Sequence, residues 1–93
     1  MQYVKLIVSG RVQMVRFRVF VRKIAIKLDV IGTVENKADG TVLIHAWGEK
    51  RSLVKFIENI YNGSTLSRVD NVTEFWDNKK YIVSDLREFR IIH

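Results

Sequence analysis

Two apolar stripes of helical period, set among segments that alternate apolar and polar residues, restrict this chain to a layered fold. Phe17, Phe20, Val21, Ile24 and Leu28 recur at helical spacing, while Arg18, Arg22, Lys23 and Lys27 lie largely off that stripe. Leu53, Phe56, Ile57 and Ile60 repeat the pattern. Neither helix can leave such a stripe in water, so both need a partner surface. The alternating segments supply it. From Tyr3 to Ser9, Val4, Leu6 and Val8 share one face, and Gly10 ends the strand. Ile31 to Asn36 and Thr41 to Trp47 read as a hairpin across the turn Lys37-Ala38-Asp39-Gly40, with Val42, Ile44 and Ala46 on one face. Gly63, within Asn62-Gly63-Ser64, is suited to the left-handed cap that stops the second helix. Val69 to Trp76 is a fourth strand, Asp77-Asn78-Lys79-Lys80 a polar turn, and Phe89 to Ile92 a short closing strand.

The resulting order is strand, helix, strand, strand, helix, strand, with room for one extra terminal strand. It predicts an α+β, ferredoxin-like βαββαβ sandwich: an antiparallel sheet with two helices on one face. Ninety-three residues, 47% of them hydrophobic, suffice for one core between two layers, so residues 1–93 are expected to form a single domain. A ligand then has to bind at a loop or a surface cleft.

Composition removes whole classes of chemistry. The absence of cysteine excludes disulfides, thiolate zinc sites and a cysteine nucleophile, and His45 and His93 alone make no histidine-rich metal site. No apolar run approaches the ~20 residues that span a bilayer, and the N-terminal residues do not read as a signal peptide, so a cytoplasmic protein is expected. The triplets Asn62-Gly63-Ser64 and Asn71-Val72-Thr73 are then chance matches to a glycosylation pattern. The net charge of +6, from 16 basic and 10 acidic residues, points to an anionic partner. Its source is local. Arg11, Arg16, Arg18, Arg22, Lys23 and Lys27 lie between Gly10 and Leu28 with no acid among them; removing these six from 16 leaves ten basic residues to balance the 10 acidic ones.

The segment Arg11 to Arg16 is a strand-to-helix loop, a place where consecutive backbone N–H groups and a helix start converge on an anion. Arg16 and Arg18 stand at the positive end of the helix dipole, which disfavours cations by some tenths of a kcal/mol. A bound phosphate would reverse that, taking forked hydrogen bonds from a guanidinium and others from the loop.

Gly10-Arg11-Val12-Gln13-Met14-Val15-Arg16-Phe17-Arg18 and Val34-Glu35-Asn36-Lys37-Ala38-Asp39-Gly40 resemble the two signatures of the acylphosphatase family, GxVQGVxFR and VxNxxDG. The resemblance runs through the chain, including Trp47-Gly48-Glu49, Gly63-Ser64, Ser67-Arg68-Val69 and the ending Phe89-Arg90-Ile91. It implies a ferredoxin-like hydrolase of carboxyl–phosphate anhydrides that uses neither cofactor nor metal. It further implies that Arg18 binds the phosphate, that Asn36 positions the attacking water, and that Gln13, Met14, Val15, Arg16 and Phe17 form the phosphate-binding loop. The implied partner is a small acyl phosphate or inorganic phosphate, bound by a monomer, with no membrane and no nucleic acid involved.

This assignment is chemically consistent. An acyl phosphate expels a carboxylate whose conjugate acid has a pKa near ~4, so no general acid is required at neutral pH. Electrostatic stabilisation and an in-line water suffice. The site assembles if the first and third elements are parallel neighbours in the sheet, which brings the loop and Asn36 to one end. Two positions depart from the family pattern: Met14 replaces a glycine, and Arg16 a glycine or small residue. If that glycine serves a left-handed backbone, methionine costs ~1–2 kcal/mol there. Either the loop tolerates the strain, or the chain is a catalytically weakened phosphate- or anion-binding domain. An RNA-binding ferredoxin-like domain is the other alternative, although Thr41 to Gly48 lacks the RNP1 pattern. His45, Asp39 and the aromatics Trp47, Trp76, Phe56 and Tyr61 are expected in structural roles.

Overall fold

The computed structural model describes residues 1–77 and 86–93. The elements are β1 (Gln2–Arg11), α1 (Phe17–Lys27), β2 (Ile31–Asn36), β3 (Val42–Gly48), α2 (Lys50–Asn62), β4 (Arg68–Asp77) and β5 (Phe89–Ile92). They follow the expected order, including the closing strand. The expected turn at 77–80 lies, beyond Asp77, outside the described residues.

The sheet order is β4-β1-β3-β2-β5. Four strands pair antiparallel as expected, whereas β5 joins the outer edge of β2 in parallel, with Val34 opposite Ile91 and Glu35 opposite Ile92. The sheet is therefore mixed. Direction follows from topology: β4 ends opposite the start of β1, at Asp77 and Tyr3, and β2 begins at that same end, where Ile31 and Tyr3 both face Trp47. A strand that starts there and runs along β2 has to run with it. β1 and β2 are parallel, but they are not the neighbours that were expected, because β3 lies between them. Two antiparallel steps restore the same direction, so the ends of β1 and β2 still meet at one end of the sheet.

Alternation decides the faces. Val4, Leu6, Val8, Val34, Val42, Ile44 and Ala46 are buried against Phe17, Val21 and Ala25 of α1 and Leu53, Phe56, Ile57 and Ile60 of α2, in one core. Both helical stripes are thus found where their spacing placed them, with Phe20, Ile24 and Leu28 at the margin. Gly63 closes α2 at φ 71, and its N–H donates to the carbonyls of Asn59 and Ile60. On the opposite face Tyr3, His45 and Trp47 pack together, the Tyr3 hydroxyl lying 2.6 Å from His45 Nδ1. Burial, and secondarily Lys5, lowers the His45 pKa, which fits a structural imidazole.

Gly10 does not end β1 as expected but sits at an irregularity in its ladder with β4: the register shifts between Ser9 and Gly10, Gly10 takes φ 126, and pairing resumes at Gly10–Val69 and Arg11–Arg68. A Cβ here would stand 2.1 Å from the Arg68 carbonyl oxygen. Gly10→Ala is expected to cost about 3 kcal/mol through clash and backbone strain. Chemical denaturation checks this; a variant as stable as the parent would show that the bulge does not require glycine.

Candidate active site

The loop after β1 is fastened at both ends. Val12 and Phe17 are buried in the core, while Met14 between them is 97% exposed. Gln13 pins the middle: its Nε2 donates to the carbonyls of Lys37 and Thr41, each at 2.8 Å, tying the loop to the β2–β3 turn. That turn is closed by its own bonds, from Lys37 N to Thr41 O at 2.8 Å and from Gly40 N to Lys37 O at 3.2 Å. Both the backbone N–H and the hydroxyl of Thr41 donate to Asp39 Oδ1, at 3.0 and 2.6 Å, and the hydroxyl bond in particular holds this carboxyl below the usual aspartate range. Asp39 is a turn residue, as its position beside Gly40 suggested.

Met14 and Arg16 both stand at φ 60, and Val15 between them does not share the positive φ. Alternating handedness along a short loop is the backbone pattern that converges successive N–H groups into an anion-binding concavity. The departures from glycine therefore fall on the two left-handed positions of the loop. Met14→Gly is expected to relieve about 1 kcal/mol, equivalent to a rise of about 4–8 °C in Tm for a chain of this size. Thermal unfolding tests this; an unchanged or lower Tm would mean that the methionine is unstrained.

Arg16 is the N-cap of α1, in the left-handed region and without a side-chain capping bond, and the first turn carries no acid. The helix start keeps its positive end uncompensated by side chains. Arg18, in that turn, donates from one terminal nitrogen to the Ile92 carbonyl at 2.9 Å, and Arg22 donates from Nε to the Phe89 carbonyl at 3.0 Å. Two arginines of α1 thus hold β5, and the first is oriented by doing so. With five donors on a guanidinium, one bond leaves Arg18 free to bind an anion as well.

A cavity of about 270 Å³ is lined by Met14, Arg16, Phe17, Arg18 and Asn36, with Val12, Val19, Ile91 and His93 completing it. Five of the seven residues singled out from the sequence come together here. Gln13 does not line the cavity, because its amide is committed to the β2–β3 turn, and Val15 faces a neighbouring cavity instead. His93 was not among the site residues read from the sequence, and Ile91 stood there only in the closing strand and the ending that resembles the family; both line the cavity because β5 runs parallel along β2, with Val34 opposite Ile91. Asn36 closes β2 opposite Val42, and its Oδ1 is buried without a hydrogen-bond partner. None of the bonds that close the following turn uses its side chain. A buried carbonyl oxygen left so costs about 1–3 kcal/mol, more than a turn role would justify.

Arg16 and Arg18 supply the charged side chains of this wall, which contains no aspartate or glutamate among its described residues. The cavity suits a small oxyanion. Of the six cationic residues between Gly10 and Leu28, these two line it, while Arg22 is spent on β5 and Lys23 stands by the neighbouring cavity.

The family model described as Acylphosphatase matches residues 4–91. The chain is 37% identical over 87 residues to the acylphosphatase of Lacticaseibacillus paracasei, covering 94% of this chain and 91% of that protein. It is 44% identical over 73 residues to the acylphosphatase of Bacillus subtilis, covering 78% and 79%. The crystal structure of acylphosphatase from Bacillus subtilis superposes with a TM-score of 0.91 at 35% identity, over 100% of both chains.

Proposed function

We infer, from the premise that the chain belongs to the acylphosphatase family, that it is a hydrolase splitting acyl phosphates into carboxylate and inorganic phosphate. In this proposal the loop from Gln13 to Phe17 and Arg18 hold the phosphoryl group, and Asn36 orients the water that attacks it. The convergence of Arg16, Arg18 and Asn36 on one cavity, at an uncapped helix start, carries the reading.

The roles follow from charge. In the transition state negative charge spreads over the equatorial phosphoryl oxygens, and fixed donors aimed at them need no reorganisation. Arg18, tethered to Ile92 O, is such a donor. Asn36 Oδ1 accepts an O–H of the water, which directs the water's lone pair at phosphorus. As the new P–O bond forms, the bond from phosphorus to the acyl oxygen breaks, and its electron pair leaves with the carboxylate. The water's second proton passes to solvent or to the phosphate product. Gln13 acts at one remove, by holding the loop against the turn that follows Asn36.

The expectation of a cytoplasmic, single-domain monomer acting on a small molecule, apart from membrane and nucleic acid, belongs to the same proposal. The anion-binding and RNA-binding alternatives are not favoured, since the named relatives are enzymes along most of their length. Steady-state release of phosphate from benzoyl phosphate by the purified chain tests the proposal. Turnover no faster than in buffer would overturn it.

A further inference from the structure

A second cavity, of about 250 Å³, adjoins the first and shares Arg16 and Val19 with it. It runs along the flank of α1, where Arg16, Val19, Phe20 and Lys23 follow one another at helical spacing, and is closed on the far side by residues 64–66 between α2 and β4. We propose that this cavity is the acyl subsite, and that Val15, Val19, Phe20 and Leu66 select a bulky apolar acyl group. This rests on the phosphate placement proposed above.

Three observations converge on it. The first is direction. In-line displacement sets the leaving group opposite the attacking water. Asn36 lines the first cavity and is absent from the second, so an acyl group leaving away from Asn36 is directed past Arg16 into the second. The second is chemistry. Four of the eight lining residues are apolar, beside Lys23, Ser64 and Thr65, and Arg16, common to both cavities, stands where the carboxylate charge would develop. Room for about eight waters, at ~30 Å³ each, matches a ring with its carbonyl.

The third is construction. Leu66 is 65% exposed, and it lines the same cavity as Val15, Val19 and Phe20 rather than standing alone on the surface. A built turn holds it there: Ser64 N donates to Ser67 Oγ at 2.7 Å, Ser67 N to Ser64 O at 3.2 Å, and the two hydroxyls meet at 3.0 Å. The turn presents Leu66 at the rim of the second cavity, as the loop presents Met14 at the wall of the first.

The test compares acetyl phosphate with benzoyl phosphate in the parent and in Leu66→Ser, whose exposed position tolerates truncation. The parent is expected to favour benzoyl phosphate at least about tenfold in kcat/KM, within the range hydrophobic pockets achieve. Leu66→Ser should lower that ratio about 3- to 10-fold, by raising KM for benzoyl phosphate more than KM for acetyl phosphate. Calorimetric binding of benzyl phosphonate against methyl phosphonate repeats the comparison without chemistry. Equal ratios in parent and variant, with acetyl phosphate turned over normally, would overturn the subsite and leave the hydrolase reading standing. If no acyl phosphate is hydrolysed the hydrolase reading fails, and a phosphonate ratio insensitive to Leu66→Ser would sink the subsite as well.

Discussion

Arg18→Ala is expected to lower kcat/KM for an acyl phosphate on the order of 10³-fold, the scale at which preorganised donors and arginines act on phosphoryl transfer. The guanidinium has one bond to the Ile92 carbonyl, on the exposed side of the site, so folding stability should fall by no more than about 1 kcal/mol. Loss of activity without loss of fold is the diagnostic pair. Arg18→Lys sharpens it: a lysine keeps the charge but not the planar fork that reaches both an anion and a carbonyl, so it should recover only a small part of the rate. Phosphate protection against thermal unfolding, present in the parent, should weaken in Arg18→Ala. An alanine variant within threefold of the parent in steady-state turnover would remove Arg18 from the site.

Asn36→Ala is expected to separate activity from stability in opposite directions. Alanine deletes a buried carbonyl oxygen that has no hydrogen-bond partner, so the variant should be as stable as the parent or up to about 2 kcal/mol more stable. The rate should nevertheless fall about 10²- to 10³-fold in kcat, because the nucleophile loses its orientation. Phosphate affinity should barely change, since the proposed site assigns the phosphoryl group to the loop and Arg18. A plain turn asparagine gives the reverse result, lower stability with activity retained. Urea midpoints measured beside kcat decide between the two roles, and a destabilised variant that still turns over would exclude Asn36 from the chemistry.

Elements were legible because their signals are local. Two-residue alternation in β1 and β3 and helical spacing in α1 and α2 are properties of short windows, and both sets of apolar residues contribute to one core, with Phe20, Ile24 and Leu28 partly buried at its margin. Gly63 was readable as the helix stop for the same reason, although it ends α2 at φ 71 and ψ −178, a positive-φ conformation other than the left-handed helical one expected. The loop was legible in outline. Left-handed backbone at a family glycine was foreseeable at Met14, and the structure bears it out there and at Arg16.

Pairing was harder to read. That β3 separates β1 from β2, and that β5 runs parallel along β2, depends on how the whole sheet covers two helices. The roles of individual loop residues were hidden with it. Gln13 turned out to be a strut to Lys37 and Thr41, Val15 faces the second cavity, and His93 joins the wall beside Arg18 and Asn36.

By itself the sequence determined which segments become strands and helices, where the positive charge collects, and which short motifs resemble the family's signatures. Each of these follows from residues within a few positions of one another. Only the tertiary structure decided that an arginine at 18, an asparagine at 36 and a histidine at 93 share one cavity. Contacts across the chain are chosen by the summed burial of every face at once, a quantity that no local window contains.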